Sequence, residues 1–171
     1  NRIPVNYDQI SPNVVNALIA TEDQRFRVHS GVDVRGTVRA AVFLGKRGGA
    51  STLTQQLSKM LFTDRAPNFF KRTFQKFQEW IISAQLERQY TKDEIIAINQ
   101  AVGINSAARV YFNTTPDSLK VEEAALLVGM CKNPALFNPL RRPDTTMTRR
   151  MVVLDQMRKN GFLTTPQYDS L

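Results

Sequence analysis

Helix-start signals recur along this chain and almost nothing in it alternates as a strand would, which confines it to a mainly α fold. Ser11-Pro12 is an N-cap followed by proline at the first helical position, where a missing N–H is no loss. Val14, Val15, Leu18 and Ile19 then supply an apolar face leading to Thr21-Glu22-Asp23. After a turn around His29 to Gly31, the pattern predicts a helix from about Asp33 to Leu44, one capped by Ser51 and reaching about Phe62, and a long one opened by Pro67 and ending near Tyr90. Thr91 and Glu94 spell a capping box for the next. Pro116 starts a short helix, and Val121 to Met130 reads as a buried one. Pro134, Pro139 and Pro143 mark an irregular stretch before helices near Thr145 to Asn160 and Pro166 to Leu171.

The 171 residues suffice for one domain with a real core, and 42% hydrophobic with 22% charged residues is ordinary globular composition. The net charge of +8 is not ordinary and points to anionic partners. One cysteine, Cys131, excludes an internal disulfide; next to the run Ala124 to Met130 it reads as a small buried hydrophobe. With a single histidine as well, a usual zinc site is excluded. No apolar run approaches the roughly 20 residues that span a bilayer, and the first residues do not read as a signal peptide. Action at a membrane would then be at its surface, or through an anchor outside this chain.

Candidate chemistry begins at Glu22 and Asp23. They end a mostly apolar helix and precede a turn, where a carboxylate can project into a cleft with one apolar side and serve as a base. Phe26, His29 and Gly31 extend the pattern to E-D-x-x-F-x-x-H-x-G. Phe26 reads as a core anchor of the loop and His29 as a histidine that ties it. Further on, Gly48-Gly49-Ala50-Ser51 is a glycine-rich turn entering a helix, a terminus whose free N–H groups and dipole attract anions. Along that helix Thr52, Gln56 and Lys59 share one face, while Leu53, Leu57 and Leu61 share another and look like core. The Gly-Lys-Ser/Thr ending of a nucleotide-binding phosphate loop is missing.

The long helix interleaves aromatics with cations. Phe70, Phe74, Phe77 and Ile81 form an apolar stripe, which suits equally a core or a membrane interface. Arg72, Lys76 and Glu79 lie on a different face. Lys76 and Glu79 are spaced for an intrahelical ion pair.

The order of these motifs resembles the family 51 glycosyltransferases, the polymerase domains of class A penicillin-binding proteins and the monofunctional peptidoglycan transglycosylases. The resemblance rests on ATEDQRFRVHSG, GGASTLTQQLSK and Gln75-Lys76-Phe77-Gln78-Glu79, with LERQYTKDEI, SAARVYF, EEAALLVG, NPALFNPLRRP and RRMVVLDQMRKNGF further on, and covers nearly the whole chain. It implies a lysozyme-like α lobe with a smaller membrane-touching jaw lobe over residues 40–80, within a single domain. It implies Glu22 as catalytic base, with Asp23, Phe26 and His29 beside it, and Glu79 as second essential carboxylate. Ser51, Thr52, Gln56, Lys59, Arg72 and Lys76 would meet substrate sugar or phosphate. The implied substrates are lipid II and lipid-linked glycan. The implied setting is the anionic outer face of the bacterial cytoplasmic membrane, with a transpeptidase domain outside this chain as a partner. A divalent metal (Mg or Mn), with Asp23 as a ligand, is the expected cofactor; no organic cofactor and no nucleic-acid partner are expected. Moenomycin, a phosphoglycolipid, would occupy the donor site.

The chain departs from the family pattern at three places. Gln75 stands where arginine is usual, with Arg72 three residues earlier. Met60 stands where asparagine is common. After Glu94-Ile95-Ile96 the sequence runs Ala97 to Ile104 and is shorter than the family's. A glycan-cleaving enzyme of lysozyme or lytic type is a rival reading; so is a non-catalytic basic helical binding domain. A hydrolase needs no diphosphate site, and no helix-turn-helix spacing is present.

Overall fold

The computed structural model describes residues 6–42, 51–62, 68–100 and 103–171. It is mainly helical, with no strand among the described residues. The Gly45 to Gly49 loop, the Gly48-Gly49-Ala50 turn and Pro67 lie outside them. Two compact units emerge: Asn1–Gln24 together with Gln100–Leu171, and Arg25–Asn99.

In the first unit, α1 (Pro12–Glu22) starts as expected, with the Ser11 hydroxyl accepting from the Asn13 N–H. Ser11 also donates to the Leu119 carbonyl at 2.9 Å, which fastens the start of α1 to a distant segment. Val14, Ala17 and Ala20 are wholly buried, so this helix is central rather than amphipathic. It packs against α7 (Val121–Cys131) and α8 (Pro143–Lys159), which also pack against each other. Gly129 makes that last contact close: a β-carbon there would lie 3.1 Å from Cγ of Arg149. Ahead of α7 come α6 (Ile104–Phe112), closed by Asn113 in the left-handed region, and a short 3-10 turn at Pro116–Ser118. The chain closes with α9 (Thr165–Asp169), capped by Thr164.

The second unit holds α2 (Val34–Val42), α3 (Leu53–Phe62), α4 (Phe69–Gln89) and α5 (Lys92–Gln100). Phe26, Leu57, Ile95 and Ile96 are fully buried at its core. The capping box before α5 forms as read, Thr91 and Glu94 exchanging hydrogen bonds. Residues 40–80, expected as the jaw, fall inside this unit, and 43–50 and 63–67 of them are outside the described residues.

One expectation about a face is corrected. Leu61 is not core but 49% exposed, and the last turn of α3 is uncovered at Met60 and Phe62 as well. The α4 stripe, which suited a core and an interface equally, is uncovered: Phe74, Phe77 and Ile81 are all more than half exposed. Val34, Val38 and Val42, one turn apart on α2, are exposed as well.

Candidate active site

In the second unit α3 and α4 pack together and leave between them a cavity of about 350 Å³. Ser51, Gln55, Gln56 and Lys59 line it from α3 and its entry, and Arg72, Gln75, Lys76 and Glu79 from α4. The spacing explains the lining. Residues 72, 76 and 79 repeat at one helical turn, as do 55, 56 and 59, so each helix turns one polar face inward. Three cations and one carboxylate meet there, an excess of positive charge suited to an anionic ligand.

Glu79 is the fixed point of this wall. Its side chain is only 6% exposed, and it accepts from Lys76 Nζ at 3.0 Å and from Gln75 Nε2 at 3.3 Å. Lys76 Nζ also donates to Ser51 Oγ at 3.0 Å, so one ammonium joins the start of α3 to the middle of α4. Gln75 therefore stabilises the buried carboxylate from a neutral side chain. The positive end of the α3 dipole adds to the cationic wall.

Six of the residues singled out from the sequence come together here: Ser51, Gln56, Lys59, Arg72, Lys76 and Glu79. Thr52 does not join them. It is 1% exposed, its hydroxyl donates to the Gly31 carbonyl at 2.6 Å and accepts from the Gln55 N–H at 3.1 Å, and it is thus the N-cap of α3 in place of Ser51. Phe26 and His29 do not join them either. Phe26 is fully buried under Lys92, whose Nζ lies 4.4 Å above the ring, and His29 stands edge-on to it with its side chain 4% exposed. The reason is a buried polar cluster behind the cavity wall. Glu87 accepts from Lys92 and from the Thr54 hydroxyl, its Oε1 is 4.0 Å from His29 Nδ1, and Lys92 also donates to the His29 carbonyl. These groups anchor the loop.

Gln55 was missed. Its signal was legible: Thr52-x-x-Gln55 is a capping box, and the amide oxygen of Gln55 accepts from the Thr52 N–H at 3.2 Å.

Glu22 and Asp23 belong to the first unit, at the end of α1. Asp23 is the C-cap and is buried; Glu22 is partly buried. The charge of Glu22 reaches Cys131, the last residue of α7. Loss of solvent, and then that negative charge, push the thiol up to about 11. Cys131 is an exposed residue, not the buried one expected, although its sulfur donates back to the Leu127 carbonyl.

No group of three or more His, Cys, Asp or Glu side chains gathers anywhere among the described residues. Glu79 is already held by an ammonium and an amide.

Comparisons with known proteins bear on the family. Penicillin-binding protein 1A of Escherichia coli (strain K12) is 42% identical over 180 residues, taking in 98% of this chain and 21% of its own length. That of Aquifex aeolicus (strain VF5) is 38% identical over 98% of this chain and 24% of its own. Penicillin-binding protein 1F of Bacillus subtilis (strain 168) is 36% identical over 95% and 24%. The chain spans about a fifth to a quarter of these relatives. A family model described as transglycosylase matches residues 1–158. The chain belongs to the transglycosylase family.

Proposed function

We propose that this chain is a peptidoglycan glycosyltransferase domain that polymerises lipid II into β-1,4 glycan, with inversion at the donor carbon and release of undecaprenyl diphosphate. The cavity between α3 and α4 carries the reading: three cations around a buried carboxylate form a receiver for a departing diphosphate. Glu22 takes the proton from the acceptor 4-hydroxyl. That oxygen forms a bond to the donor's anomeric carbon as the carbon–oxygen bond to the diphosphate breaks on the opposite face, and the bonding electrons leave with the diphosphate. General-base assistance of this kind is worth about 10²–10⁴-fold. The leaving group needs charge stabilisation more than a proton, and Lys59, Arg72 and Lys76 supply it. Glu79 acts by holding Lys76 in place.

The substrates are lipid-linked, and the uncovered apolar side chains support docking on a membrane surface. Val34, Val38 and Val42 on α2, the end of α3, and Phe74, Phe77 and Ile81 on α4 are exposed in the same unit as the cations. Among the described residues no helix is long and apolar enough to cross a membrane. The periplasmic side of the cytoplasmic membrane is the proposed location, with the transpeptidase function of such proteins carried outside these residues.

The test is polymerisation of lipid II with and without moenomycin. Glu22→Gln is expected to nearly abolish polymerisation while leaving binding of the lipid substrate largely intact. Equal loss of binding and turnover would assign Glu22 a structural role. Shortening of chains in isolated sacculi would replace the polymerase reading with the cleaving one.

A further inference from the structure

The cavity wall contains one buried donor with no partner among the described residues. Gln55 is 1% exposed, and its amide oxygen is taken by the Thr52 N–H in the reciprocal cap of α3. That bond fixes which way round the amide sits, so its nitrogen is turned from Thr52. Nε2 is buried with no hydrogen-bond partner, and the residue lines the cavity. Buried amide N–H groups without acceptors are rare, because leaving one unmade forfeits its hydration with nothing in return. The neighbouring cations Lys59, Arg72 and Lys76 are donors only, and the Glu79 oxygens already accept from Lys76 and Gln75. Charged donors outnumber the single carboxylate on this wall. A sugar hydroxyl would bring a donor with each acceptor, whereas a phosphate oxygen brings acceptors alone.

We propose that Gln55 is a direct ligand of the substrate's diphosphate, its Nε2 donating to a phosphate oxygen seated in the cavity between α3 and α4. This deepens the proposed function and rests on it. Gln55 then has two roles in one side chain: its oxygen closes the start of α3, and its nitrogen reports that helix's position to the leaving group.

The experiment is titration calorimetry of the whole chain with inorganic pyrophosphate, paired with thermal melting, for wild type, Gln55→Glu, Gln55→Met and Lys59→Met. Gln55→Glu keeps a carboxylate oxygen for the Thr52 cap and loses the donor. It should melt like wild type and bind pyrophosphate at least about tenfold more weakly. Gln55→Met loses cap and donor without adding charge; it should melt lower and bind about ten- to a hundredfold more weakly. Weakening by Gln55→Glu alone would be repulsion from the new charge and would overturn the proposal. Wild-type binding by both Gln55 variants, with Lys59→Met weakened, would also overturn it while leaving the cavity's role standing. A wild-type chain that binds no pyrophosphate, or a Lys59→Met variant that binds as well as wild type, would remove the diphosphate reading of the cavity itself.

Discussion

Thr52→Val separates the two roles open to a residue in this sequence motif. The resemblance implies that Thr52 touches substrate, while the structure turns its hydroxyl inward. Valine keeps the branched shape and removes only the hydroxyl. Two hydrogen bonds go with it: donation to the Gly31 carbonyl at 2.6 Å, and the cap on the Gln55 N–H at 3.1 Å. The lost cap costs about 1 kcal/mol. The Gly31 carbonyl is buried, and leaving it unpaired adds about 1–3 kcal/mol. Together these come to about 2–4 kcal/mol, which for a chain of this length lowers the melting temperature by about 5–15 °C. Thr52→Ser keeps both bonds and gives up one methyl, about 0.8 kcal/mol. Urea unfolding followed by circular dichroism measures the loss through the midpoint at constant slope. Pyrophosphate binding, measured cold where every variant is folded, should be unchanged in both. A Thr52→Val chain that unfolds at the wild-type midpoint but has lost pyrophosphate binding would refute the inward role and place the hydroxyl on the ligand.

Gly31→Ala should be far more damaging than Gly161→Ala. Both glycines have positive φ, +84° and +78°, but a β-carbon at Gly31 would lie 2.7 Å from the Ser83 carbonyl carbon, whereas nothing lies within 4 Å at Gly161. Gly161→Ala should cost about 1–2 kcal/mol and Gly31→Ala several more, and equal urea midpoints would contradict the close contact. At pH 8 Cys131 should alkylate about tenfold more slowly than an ordinary thiol: a pKa near 11 leaves about a hundredfold less thiolate, and its greater nucleophilicity returns about tenfold. Glu22→Gln removes the second cause of that shift, so the thiol's pKa should fall and alkylation quicken; an unchanged rate would mean that the two groups do not sense each other. Phe74→Asp and Phe77→Asp, at exposed positions, should leave the circular dichroism spectrum intact and weaken sedimentation with anionic vesicles by about tenfold each. Undiminished sedimentation would remove these residues from the membrane-facing surface.

Much of this was legible in the sequence, because helix ends and helix faces are written locally. Ser11-Pro12, the Thr91 and Glu94 box and the inward trio Arg72, Lys76 and Glu79 all follow from cap chemistry and from one turn per 3.6 residues. Periodicity says which residues share a face, but not which face the rest of the chain covers. For that reason Leu61 read as core and is exposed, the α4 stripe stood open between core and membrane, and Thr52 was grouped with Gln56 and Lys59 although it is sealed behind Gly31. Helix α6 went unread because Ile104 to Phe112 carries little cap signal, its N-cap being Gly103 with no side-chain bond. Gln55 was hidden by its twin: of two adjacent glutamines, the helical wheel favours the one aligned with the lysine, and only the three-residue spacing from Thr52 marks the other.

Three backbone positions far apart in sequence meet at a single point in the second unit. Gly31 rests against the carbonyl of Ser83, Thr52 grips the carbonyl of Gly31, and Ser83 itself donates to the carbonyl of Glu79 one turn back. A rivet of this kind leaves no slack between the loop, the entry to α3 and the helix that bears the buried acid. Spacing among the cations is thereby inherited from main-chain packing. The charged tips can be exchanged and the gauge of the receptacle kept, whereas one methyl group added at residue 31 would push apart all three segments at once.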